Sequence, residues 1–143
     1  MHGEIDAEAM LFACLQNADS FFPAGGIAFS WGLETLIADG CVRDADQVEA
    51  FVLAQLVHRW NVADRPALVA AHRMRDIEGV CGIDTQVEAM TLATELREGS
   101  RRAGASLLSV HARLGTAGVQ AYQDAVRAGH ARGHLPVVQG WVW

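Results

Sequence analysis

The chain has 143 residues, a length that favours one domain, and 51% of them are hydrophobic, which excludes a disordered chain. Net charge is −6, from 11 basic and 17 acidic residues, which argues against general binding to nucleic acid because that needs a basic face. Every base is arginine, so a Walker loop, a Schiff-base lysine and a lysine general base are all excluded. The three cysteines, Cys14, Cys41 and Cys81, are far apart and form no C-x-x-C, so neither a disulfide framework nor a zinc knuckle is signalled. The opening "MHGEIDAEAM" lacks the basic start and apolar run of a signal peptide. No apolar stretch approaches the ~18 residues of a membrane span. Reduced thiols in a cytoplasmic protein are the expectation.

In chain order, the pattern is helical nearly throughout. Leu11, Leu15 and Ala18 recur at helical spacing after an Asp6 cap. A loop follows to Gly26, and Phe29, Leu33, Leu36 and Ile37 mark a second helix ended by Gly40. Asp44, with Gln47 three residues on, opens a third. Val48, Phe51, Val52, Leu53, Leu56, Val57 and Trp60 cover most of its circumference, which predicts a central, buried helix. Asp64 with Pro66 opens a fourth, to about Asp76. "IEGVCGID" reads as a loop, and Thr85 with Glu88 as a second capping box. That box predicts a longest helix over 85–114, about 45 Å if unbroken. Gly99, Ser100, Ala103 and Gly104 give it a narrow waist, where another helix approaches closely or the helix kinks at Gly104. Residues 117–128 predict a shorter helix ending at Gly129, then a loop and a new apolar element. No alternating strand appears. The expected fold is all-α, a single-domain bundle of about six to seven helices over 1–143. The chain stops on Trp141, Val142 and Trp143, large apolar groups that need something to pack on.

Candidate chemistry is sparse. Ser30 in "AFSWG" comes near the G-x-S-x-G elbow, but Ala28 replaces the first glycine and the elbow belongs to a sheet. A serine hydrolase is thus a remote alternative. His130 and His134 are four apart and suggest a direct metal-binding module, but Gly129 and Gly133 argue against a helix and two histidines leave a metal short of ligands. Glu34 sits among Leu33, Leu36 and Ile37. It is paired with Arg97 or Arg101, exposed at the helix edge, or used in partner binding. Gly25 and Gly26 read as a tight turn rather than an anion cradle. Phe21, Phe22 and Trp31 divide between core and interface. The residues alone give no catalytic set.

Three stretches together resemble the UreF-type urease accessory proteins: "LQNADSFFPAGGIAFSWGLETLIADGCV", "ELREGSRRAGASLL" and "GHLPVVQG". Their order and spacing match that family, and the resemblance covers essentially the whole chain. Family members usually continue for several helices past the third motif, so the resemblance implies the N-terminal two-thirds of the family fold, with the C-terminal part lacking. It implies a protein with no enzymatic chemistry and no cofactor of its own, nickel being handled by the complex. The implied partners are a UreD/UreH-type accessory protein, a UreG-type GTPase and the urease apoenzyme, with a homodimer usual and neither nucleic acid nor membrane involved. The motif matches make Phe21, Phe22, Pro23, Gly25, Gly26, Ser30, Trp31, Glu34, Arg97 and Arg101 candidates for partner contact.

Overall fold

A computed structural model describes residues 7–19, 22 and 30–143. The expected Asp6 cap, Phe21, Pro23, Gly25, Gly26 and Phe29 lie outside the described residues. The elements are α1 (Ala7–Ala18), α2 (Leu33–Ala38), α3 (Ala45–Gln55), a π-helical stretch (Leu56–Asp64), α4 (Arg65–Arg73), α5 (Ile77–Met90), α6 (Thr94–Leu114), α7 (Val119–Arg127) and α8 (Leu135–Val142). Right-handed helical backbone continues through Gln55, Leu56, Asp64 and Arg65, so α3, the π stretch and α4 form one rod. That leaves seven separate helices and no strand among the described residues, the all-α bundle the sequence predicts.

Local chemistry explains the starts and stops. Asp44 caps α3 by accepting the Gln47 N–H at 2.9 Å, and Gln47 Oε1 accepts the Arg43 N–H at 2.7 Å. This is the expected capping box with its return bond moved back by one residue. The loop expected at "IEGVCGID" is instead the first half of α5. Asp76 caps it, accepting the Gly79 N–H at 2.8 Å. Ile77, Val80, Asp84 and Val87 then recur on its inner face, with Val80 and Asp84 fully buried. Burial of that face outweighs the helix cost of Gly79 and Gly82, about 1 kcal/mol each.

Thr85 therefore starts nothing; its hydroxyl bonds back to the Cys81 carbonyl at 2.9 Å inside α5. The single helix expected over 85–114 is broken at 91–93, where Thr91 and Ala93 are extended. Arg97 Nη1 donates to the Thr91 carbonyl at 3.1 Å and satisfies the end of α5. α6 ends at Gly115, with φ +73°, where Thr116 N–H bonds His111 O at 3.0 Å and Gly115 N–H bonds Ala112 O at 3.3 Å. This paired closure needs a left-handed residue, a role glycine fills without strain.

The core lies in the second half of the chain. α8 packs against α4 and α6 and also touches α5. Leu107, Leu108, Val80, Val119, Tyr122, Val137 and Val138 are fully buried there. Two glycines permit this wedge. A Cβ on Gly104 would lie 2.0 Å from the Gly133 carbonyl oxygen, and one on Gly140 would lie 2.1 Å from that of Leu68. The waist of α6 therefore serves close approach, not a kink. At the end of the chain Val142 is buried and Trp141 donates its ring N–H to Gly118 O at 3.0 Å.

The third helix departs most from expectation. Neither α3 nor the π stretch contains a buried residue, and Val52, Leu53, Leu56, Val57, Trp60 and Val62 are all exposed. Its apolar circumference is a surface, not a centre. Among the described residues no helix is long and apolar enough to cross a membrane.

Candidate functional site

Two stretches singled out in the sequence, 95–108 and 133–140, meet in one polar cluster. Asp84 is its buried base. Its Oδ2 accepts the N–H of Arg132 and, at 2.8 Å, that of Gly133, while Oδ1 accepts the N–H of His134 at 2.9 Å. A carboxylate this deep is tolerated because three backbone donors converge on it. It thereby fixes the loop that leads into α8. Ser100 Oγ takes the next donor, the Leu135 N–H, at 3.1 Å. The opening amides of α8 are thus satisfied by α5 and α6 side chains.

Glu88 stands one helical turn beyond Asp84, on the same face of α5. His134 Nε2 lies 2.8 Å from its Oε2, with the ring fully buried. Arg101 grips the same carboxylate with two nitrogens, Nη2 on Oε1 and Nε on Oε2, the latter at 3.0 Å. Arg97 Nε stands 3.8 Å from Oε1. Burial pushes the Glu88 carboxyl up, but the bonds and charges of Arg101 and His134 outweigh it and hold the group below its ordinary range. The Tyr122 phenol is driven well above its usual range, first by burial and then by the negative charge of Asp84; the hydroxyl faces that field without closing a hydrogen bond of ordinary geometry.

Arg97 and Arg101 therefore pair with Glu88 and not with Glu34. Glu34 lies in the first turn of α2, exposed, and no ion pair joins it to either arginine. Exposure at the helix edge is the alternative the structure supports. Ser30 is half-buried in the turn before α2, its carbonyl accepting the Leu33 N–H at 3.1 Å. Phe22 packs on the edge of the core, its ring meeting that of His111 edge-on at 6.1 Å. His130 is exposed beyond α7, whereas His134 is held on Glu88, so the two do not share a helix face. Among the described residues, no group of three or more His, Cys, Asp or Glu side chains is arranged to hold a metal ion.

Trp31 has a different setting. Its ring lies over the Arg59 guanidinium, with Cζ 3.6 Å from the ring centre, in the geometry of a cation–π contact. The two close one side of a cleft of about 380 Å³ between the rod and α8, lined chiefly by Phe51, Leu56, Trp60, Leu135 and Pro136. Arg59 Nε also bonds Asp64 Oδ2 at 3.1 Å. Burial raises the Asp64 carboxyl, and the nearby Arg59 only partly offsets it. The cleft is continuous with the exposed apolar side chains of the rod, and its polar lining consists of Gln55, Arg59, Asp64 and Gln139.

The described residues make an all-helical body, with a polar cluster in which Asp84 and Glu88 are taken up by backbone amides, Arg101 and His134, and with an open apolar face on the rod. The UreF family model matches residues 42–143, and the chain belongs to the UreF family. It is similar to the urease accessory protein UreF of Haemophilus influenzae strain PittGG, with 34% identity over 132 residues, 90% of this chain and 56% of that protein. It is also 34% identical over 125 residues to the protein of that name from Lachnoclostridium phytofermentans, covering 84% of this chain and 54% of that one. The counterpart from Trichodesmium erythraeum is 36% identical over 101 residues, covering 68% and 44% respectively. The chain thus spans about half the length of the curated relatives it matches. No solved structure matches it.

The sequence pattern hides Asp84 and Glu88, because it suggests a loop around one and a cap role for the other. Their four-residue spacing is the available signal, once Asp76 is taken as the start of α5.

Proposed function

We propose that this chain acts in urease maturation as a non-catalytic scaffold. It binds a UreD/UreH-type accessory protein and recruits or regulates a UreG-type GTPase, so that nickel, as cargo, reaches the urease apoenzyme. It works in the cytoplasm and pairs with a second copy of itself. As the N-terminal part of the family fold, it forms one helical domain over residues 1–143.

The observation that carries this reading is the outward apolar face of the rod, beside a core in which Asp84 and Glu88 tie α5 to the start of α8 and to α6. Six large apolar side chains of one rod stand in solvent. Surfaces of that kind, rimmed by polar residues, are typical of protein interfaces. Trp31, Phe22, Ser30 and Glu34 lie before or on α2, and Trp31 reaches the cleft directly. The motif matches assign these four, together with Phe21, Pro23, Gly25 and Gly26, to the proposed partner contacts. Arg97 and Arg101 contribute mainly by positioning, through Glu88.

The test is urease maturation in a strain whose own UreF-type protein is deleted. Supplying this reading frame restores nickel loading and urease activity under the proposal. Restoration no better than with an empty vector contradicts it.

A further inference from the structure

The π stretch carries an inference that does not depend on which partner the face takes. Leu56–Asp64 is nine residues long and has α-helix on both sides. Arg65 N–H bonds Trp60 O, five residues back. Such stretches are rare, and are found often at functional sites. Arg59 and Asp64 are also five apart, yet their side chains meet at 3.1 Å. In α-helical register, residues five apart point roughly 140° away from each other. The wider π turn brings them back toward one face. Trp31, which covers Arg59, holds φ +54°, a left-handed conformation that strains a bulky residue. The strain lies in the backbone of the residue whose ring covers the ion pair.

The two ends of the rod are anchored unequally. α4 is pinned to α8, where Gly140 meets the Leu68 carbonyl and Ala71 is fully buried. α3 buries no residue. We infer that Arg59 is the latch of a register switch. Held on Asp64 and under Trp31, it keeps residues 56–64 in the π register. Released, the stretch takes the α register and turns α3 by about 100°, one residue's rotation. That turn carries Phe51, Val52 and Gln55 around the rod axis and reshapes the cleft they border. A group that lifts Trp31 or draws the guanidinium away from Asp64 triggers it.

The switch is read by distance measurements between spin labels on the full chain. Labels go on Asp46→Cys in α3 and Ala121→Cys in α7, both exposed, in a background where Cys14, Cys41 and Cys81 are replaced by alanine. Arg59→Gln and Asp64→Asn should each move the main distance to the same new value. Arg59→Lys keeps the charge but loses the planar stack and should populate both. Folded variants, judged by helical circular dichroism, that all keep the parent distance overturn the proposal. Deleting the exposed His58 supplies a second measurement. It removes the extra residue, so the parent distance should persist and Arg59→Gln should no longer change it. A shifted distance in the deletion variant contradicts a π register in the parent, even if the point variants fail to fold.

Discussion

Asp84 is the residue on which the cluster most depends. It fixes three successive amides, and the positive end of α8 begins beside it. Hydrogen bonds to a charged group are worth about 1.5–3 kcal/mol each, and buried donors left behind cost more than the bond itself. Asp84→Ala should therefore lower unfolding free energy by at least about 3 kcal/mol, measured by urea denaturation. Glu88 adds a pH dependence. Its carboxyl titrates below its unfolded value of about 4.3, so its stabilisation is present above that pH and is lost as pH falls through the folded value. Glu88→Gln should thus be less stable than the parent at pH 7, and the gap should narrow progressively in urea midpoints taken as pH falls below the unfolded value. Burial holds His111 below its ordinary range, so it acts in the same direction at higher pH. Its neutral ring favours the fold above about pH 6.5, and that contribution falls as pH drops through the folded value. The sequence showed Arg97, Arg101 and His134 as notable groups but not their shared carboxylate. Pairing across three helices depends on tertiary register, which local spacing does not encode.

At the scale of elements, glycines divide by what surrounds them. A Cβ added to Gly82 in α5 would meet nothing within 4 Å, whereas one on Gly140 faces the Leu68 carbonyl at 2.1 Å. Gly82→Ala should gain about 0.5–1 kcal/mol from helix propensity. Gly140→Ala should lose more than that gain returns, about 1–3 kcal/mol or more, because backbone must move. Paired thermal melts decide both. Helix periodicity made α3, α4, α6 and α7 legible, and the narrow waist of α6 signalled close packing. α5 was not legible in its first half, because two glycines in "IEGVCGID" suggested a turn while Asp76 already supplied a cap. The rod's exposure was hidden for a related reason. An apolar circumference looks the same in sequence whether it meets a core or stands outward as a surface.

For the whole molecule, the buried core and most of the exposed apolar area lie in different parts of the chain. The buried core belongs to α4–α8, while most of the exposed large apolar side chains lie along α1, α3 and the π stretch, the others being Ile37, Met90, Leu92, Leu114 and Trp143. Substitutions on the face should consequently leave the fold in place. Leu56→Glu with Val57→Glu should shift the melting midpoint by no more than a few degrees, since neither side chain is buried. The same pair should abolish partner capture, because charges placed in an apolar interface lack partners there. The most direct measurement is therefore co-purification. The tagged chain is co-expressed with the urease subunits and the other accessory proteins of its own source, with and without the Leu56→Glu/Val57→Glu pair. Retention of the UreD/UreH-type protein by the parent, and its loss from the folded double variant, is the predicted result. No retention by the parent, or equal retention by both, would contradict the account.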